Sequence, residues 1–269
     1  MEIFQYARAL IEATTLAGKL VPPPRLVPDE VERPAPVRLD TPGRPANLLI
    51  RPARDVKVPR KAAMASRDQR GRILHALANH ELQAVELFAW ALLAFPDMPV
   101  GFHNGLLAII ADEQRHLQLY MDCMAPLDLR FGDLPVTGHF WNKIPTVQTP
   151  LQFVCTMGLT FENANLDFAN EYAEYARAGG DEATVRALEV VHADEIRHVR
   201  FAWIWLHKLK PAGESAWDTY VQNITWPLSP ARARGKTFDE DSRAAAGMAP
   251  EFIARLAAVT ARRPSGAPR

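Results

Sequence analysis

Cysteine is almost missing from this chain, with only Cys123 and Cys155 among 269 residues. Two thiols cannot build a disulfide framework, and they read as free thiols of a reducing cytoplasm. Charge of either sign in excess is missing too, because Lys+Arg and Asp+Glu both number 31. Bulk attraction to nucleic acid or an anionic membrane is therefore not expected. No uncharged apolar run is long enough to span a bilayer. The opening MEIFQYARAL has an acidic residue at position 2 and no long apolar run, so no signal peptide is expected and the chain is placed in the cytoplasm.

What is present is helical periodicity. Residues 2–17 predict a short amphipathic helix with Ile3, Phe4, Ala7, Leu10 and Ile11 on one side. From Val21 to Arg60 proline is too dense for helices or central strands, which predicts an extended arm anchored by Leu48, Leu49, Ile50 and Val56. Four helices follow, at about 67–95, 99–124, 150–178 and 181–209. Pro96 and Pro99 mark the first turn, Gly179-Gly180 the last, and Pro211 the end. The 25 residues from Ala125 to Thr149 could stretch about 80 Å. A 28-residue helix is about 42 Å long, so this connection can run the length of a bundle. Ala249–Thr260 predicts one more short helix, before a polar tail. Three segments are expected: an N-terminal helix and arm over 1–65, a bundle over 66–210 and a C-terminal extension over 211–269.

The pentapeptide D-E-x-R-H occurs twice, at Asp112–His116 and Asp194–His198. Each contains Glu-x-x-His, which places a carboxylate and an imidazole on one helix face. The remaining two helices each carry one glutamate inside an apolar stripe, Glu81 and Glu162. Glu81 and Glu113 are 32 residues apart, Glu162 and Glu195 are 33 apart, and the pentapeptides start 82 apart. This is an internal duplication of a helix pair. Buried carboxylates require a cation or a shared proton. Four carboxylates and two neutral imidazoles balance two divalent ions, and oxygen and nitrogen donors without thiolate suit iron or manganese. The expected ligands are Glu81, Glu113, His116, Glu162, Glu195 and His198, holding two iron ions or a manganese or mixed pair.

These motifs resemble the ferritin-like di-iron carboxylate superfamily. Within it, the chain resembles a bacterial family of unknown function that reads H-A-x-A-H-x-E-L-Q-A, E-x-x-H, E-A-R-G-L-D and D-E-x-x-H-V. Here those motifs stand at His75–Ala84, Glu113–His116, Glu162–Asp167 and Asp194–Val199, and the likeness continues into Arg234–Phe238 and Ser242–Gly247. Asn79 replaces the second His, and Asn163-Ala164-Asn165 replaces Ala-Arg-Gly. The resemblance implies an all-α, ferritin-like four-helix bundle with a long crossover between its second and third helices.

Around the ligands, Asp112 and Asp194 are candidates to hold the histidines from the far side, with Arg115 and Arg197 balancing their charge. His192 is a candidate seventh ligand or catalytic group, as extra histidines are in N-oxygenase-like relatives; a hydrogen-bonded core histidine is the alternative. Tyr120 is a second catalytic candidate or a core tyrosine. Gly158, one turn before Glu162, leaves space for oxygen or substrate, or allows close helix packing. Trp203, Trp205, Trp217 and Trp226 are expected to pack the fourth helix against the C-terminal segment. The functional expectation is an enzyme that activates dioxygen to hydroxylate, oxidise or desaturate a small organic substrate, with an electron-donor protein and a homodimer both open to it. The alternatives are a ferroxidase or iron-handling protein, a tRNA-modifying hydroxylase using Arg232, Arg234 and Lys236, or a metal-bound bundle without turnover.

Overall fold

Hydrophobic spacing of three and four residues dominates the chain, and the computed structural model is correspondingly helical. It describes residues 3–24, 33–225 and 227–259. The helices are α1 (Ile3–Glu12), α2 (Leu16–Lys19), α3 (Arg67–Ala94), α4 (Val100–Met124), α5 (Pro150–Phe153), α6 (Asn163–Ala178), α7 (Glu182–Leu209), α8 (Ala216–Gln222), α9 (Glu240–Ala245) and α10 (Pro250–Ala258). The two strands among the described residues are β1 (Ile50–Arg51) and β2 (Val136–Thr137), which pair in parallel. No helix among the described residues is long and apolar enough to cross a membrane. Two compact units result: Met1–Pro150 with Tyr172–Val191, and Leu151–Glu171 with His192–Arg269. The division passes inside α6 and α7.

In the first unit α3 and α4 pack together, joined by a short turn. The turn is fastened by His103, whose Nε2 lies 3.0 Å from the Phe95 carbonyl at the end of α3. One hydrophobic core takes Leu74 and Ala78 from α3, Leu117 and Tyr120 from α4, Ala173 and Ala176 from α6, and Val185 and Leu188 from α7. The turn between α6 and α7 needs glycine because Gly180 has φ +72°, a region costly for residues with a Cβ. Asp181 then caps α7, accepting from the Thr184 backbone N–H (3.1 Å) and from Arg70 (2.7 Å).

The N-terminal segment departs from expectation in detail. One helix was expected over 2–17, but α1 stops at Glu12 and Thr15 opens α2 by accepting from the Gly18 N–H. The arm forms neither helix nor strand over 33–45 and bends at Asp40 and Thr41, and Trp90 on α3 donates to its Leu39 carbonyl (3.1 Å). Of the four predicted apolar anchors only Leu48 is buried; Leu49 is 47% exposed. Polar fastening replaces them. Glu86, wholly buried on α3, receives Lys19 (3.0 Å), both nitrogens of an Arg44 fork (3.0 and 2.6 Å) and the Trp141 indole N–H (2.8 Å). Burial drives the Lys19 pKa below the ordinary lysine range, against the opposing pull of Glu86.

In the second unit Trp203 of α7 and Trp217 of α8 meet Phe252 of α10 edge-on, with ring centroids 5.1 and 5.2 Å apart. Trp205 meets Phe201 and Lys208 of its own helix. Trp226, the arm residues 25–32 and the tail from 260 lie outside the described residues. The third predicted helix is not α-helical throughout. Val154–Glu162 forms a π-helix between α5 and α6, closed by the Asn163 N–H on the Gly158 carbonyl. Gly158 at its centre is explained by packing. A methyl built on it would lie 2.2 Å from the Ala202 Cβ of α7. Helix propensity favours alanine over glycine by about 1 kcal/mol, yet overpacking here costs about 1–3 kcal/mol. Gly158→Ala is therefore expected to lower stability in urea denaturation, and adding Ala202→Gly is expected to restore most of the loss.

Candidate metal centre

Glutamates placed mid-stripe on a helix are carried into the interior by the same spacing that buries the leucines around them. Glu81, Glu113, His116, Glu162, Glu195 and His198 are all buried. In the first unit Glu81 of α3 meets Glu113 and His116 of α4, and each offers a ligand atom within 4.8 Å of the others. The His116 Nδ1 lies 3.8 Å from Glu81 Oε2 and 3.6 Å from Glu113 Oε2. In the second unit Glu162, the last residue of the π-helix, meets Glu195 and His198 of α7 within the same limit. The His198 Nδ1 lies 3.2 Å from Glu195 Oε2. Each unit thus holds one Glu-Glu-His cluster that could hold a metal ion.

The electrostatics fit a cation. Burial, and then the neighbouring Glu113 carboxylate, hold Glu81 well above the usual carboxylate range, and His116 only partly offsets this. Without a cation, the protonated form of Glu81 is favoured. Two carboxylates and one neutral imidazole carry the charge that one divalent ion cancels, and neither Cys123 nor Cys155 belongs to a cluster. Hard and borderline ions such as iron and manganese suit this donor set.

The surrounding candidates are placed as follows. Asp112 pairs with Arg115 at 3.0 Å and Asp194 with Arg197 at 2.5 Å, each one turn along its own helix. Tyr120 lies in the hydrophobic core of the first unit. His192 is in neither cluster. Its Nε2 lies 3.2 Å from each of Asn170, Asp239 and Ser242, which ties α7 to the start of α9. Arg232 lies over Phe161 and Phe168, and Arg234 over Phe238 while donating to the Ala257 carbonyl, so two of the three basic side chains serve the fold.

Residues 4–254 match the family described as "Protein of unknown function (DUF455)". The chain belongs to this family. The DUF455 chain is also 25% identical over 184 residues to a Haemophilus influenzae protein described as uncharacterized, a match covering 65% of this chain and 62% of that protein. It therefore spans less than two thirds of that relative's length. No solved structure matches it.

Both departures noted in the DUF455 motifs have structural roles. Asn79 accepts from Arg44 (3.0 Å) and donates to the Thr137 carbonyl (3.0 Å). Asn165 donates to Glu195 Oε1 (3.1 Å), fixing one oxygen of a cluster carboxylate. Sequence reasoning missed Glu86 altogether. The signal was there, because Glu86 is the only charge between Leu82 and Phe95.

His75 of the DUF455 motif is structural. Its Nε2 accepts from the backbone N–H groups of Gly132 (2.9 Å) and Leu134 (3.4 Å). Burial lowers its pKa from 6.5 to about 4. The unfolded chain therefore takes up this proton first, and stability falls as pH drops from about 6.5 toward 4, by up to ~3 kcal/mol. Urea denaturation at pH 7.5 and pH 5 is expected to show about 2 kcal/mol of that loss. His75→Gln, whose amide oxygen can accept the same bonds, is expected to flatten it.

Proposed function

We propose that the two Glu-Glu-His clusters act together as one dinuclear iron centre in a ferritin-like four-helix bundle, and that the protein oxidises a small organic substrate with dioxygen. The observation that carries this reading is the repeat itself: two buried Glu-x-x-His motifs, each meeting one glutamate from the preceding helix. Further support comes from the core of the first unit, to which four long helices contribute, and from the crowding of the buried Glu81 and Glu113 carboxylates, which raises the Glu81 pKa. Manganese or a mixed pair would fit the same donors.

Two iron ions, when bound, would supply the reaction with dioxygen and the oxidising capacity. The chain's own residues would hold and shield them. His116 and His198 offer neutral nitrogen donors, and the four carboxylates provide the balancing charge. Asn165 steadies Glu195 by one oxygen. The hydrophobic residues around the clusters exclude water. An external reductant, such as an electron-donor protein, would supply the electrons.

The test is metal analysis followed by oxygen exposure. The expected result is two irons per chain and a fast optical change when the anaerobic ferrous protein meets oxygen. One zinc per chain with no response to oxygen would overturn the oxidase reading in favour of a metal-stabilised bundle. Many irons per chain in a large cage would replace it with iron storage.

A further inference from the structure

Glu81 belongs to a motif whose other polar residues take no part in the metal cluster. His75, Asn79 and His80 instead line a cavity of about 180 Å³ in the first unit. The arm closes one side with Asp55 to Val58, and Leu134 to Thr137 of the α4–α5 connection close another. One water needs only ~10–15 Å³ of such space, so the cavity admits a small molecule. It is smaller than the ~300 Å³ at which drug-sized sites begin.

The walls are built. The His75 ring holds the Gly132 and Leu134 amides, Asn79 bridges Arg44 to Thr137, and β1–β2 pairing joins the arm to the connection. The charge at the mouth is positive. Arg54 stands 3.8 Å from Asp55 and offsets it. Lys57 and Arg72 both line the cavity, and Arg72 donates to the Lys57 backbone carbonyl (3.4 Å). Among the described residues no carboxylate pairs with either. Two cations at the mouth of a cleft concentrate anions there, and a guanidinium fork matches a carboxylate. Val56, Ala76 and Pro135 offer an apolar bed beyond the rim.

We propose that this cavity binds a small organic carboxylate, with its charged end at Lys57 and Arg72 and its apolar body against Ala76. The proposal stands independently of the metal centre, because none of its residues is in either cluster.

Titration calorimetry of the full chain with propionate, and separately with inorganic phosphate, tests it. Propionate is expected to bind the unaltered protein. Arg72→Ala is expected to weaken binding about tenfold, in line with the loss of a charge-assisted pair. Ala76→Leu keeps both cations but fills the cavity, and is expected to weaken binding as strongly. Both positions are at least partly exposed, and unchanged melting temperatures without ligand would confirm that the variants fold. Absence of propionate binding, or affinity unchanged in both variants, would overturn the proposal. Phosphate binding more tightly than propionate would also overturn it, by assigning the rim to phosphate.

Discussion

Glu113→Gln and Glu195→Gln are expected to fold and to lose tight iron binding. Partners that only orient ligands typically change metal affinity ~10–100-fold, and loss of a charged ligand should exceed ~100-fold. Asp194→Ala, which removes the carboxylate paired with Arg197, should fall within that smaller range if Asp194 steadies a ligand. In the metal-free state the expected sign reverses. Glu113 is one cause of the raised Glu81 pKa, so neutralising it relieves a buried repulsion. Metal-free Glu113→Gln should then resist urea better than the metal-free parent, since sites shaped for function commonly sacrifice stability. Iron titrations and paired denaturation curves check both halves. Undiminished iron affinity in either glutamine variant would remove that residue from the ligand set.

Arg243→Ala is expected to be the most destabilising single change in the second unit. Arg243 is wholly buried and bonds both oxygens of Asp167 (2.7 and 3.0 Å) and the carbonyls of Asn163, Ala233 and Asp239. Its guanidinium also lies 3.9 Å over the Phe238 ring. Removing it leaves the buried Asp167 without its cation, which costs about 3–5 kcal/mol. A well-packed hydrophobic pair often replaces a buried ion pair without loss, but not here. Asp167 also accepts from the backbone of Gly235 (2.7 Å) and Asp239 (2.8 Å), and these donors would be stranded. Arg243→Met/Asp167→Leu should therefore remain destabilised in urea titration. A loss below about 1 kcal/mol in Arg243→Ala would contradict this account.

The helices were legible because burial repeats every three to four residues, and α3 ends and α4 begins close to where the prolines place them. The glutamates and histidines were legible because they recur at fixed spacing within those stripes. The π-helix was not, since the widened turns of Val154–Glu162 leave no mark in composition or apolar content. The arm misled because apolar residues in a proline-rich stretch suggest hydrophobic anchoring, while ionic fastening to Glu86 involves partners 42 residues away and more. The role of His192 was hidden for the same reason: its partners Asp239 and Ser242 come from a distant helix, 47 and 50 residues on. Periodicity reports which face a side chain takes, not which distant group it meets there.

The fastening of the arm also sets an order of assembly. Its bonds span long stretches of chain: Arg44 to Glu86 across 42 residues, and Arg38 to the Val147 carbonyl across 109. Ile50 pairs with Val136, beyond both α3 and α4. Closing such loops gives no return until the distant partner is already fixed, and contacts of this separation form slowly. The α3–α4 hairpin, closed by a turn of a few residues, can form first and present Glu86 as a template. The arm then seals that hairpin late in folding, and its amides should be the first of the unit to open in native-state hydrogen exchange.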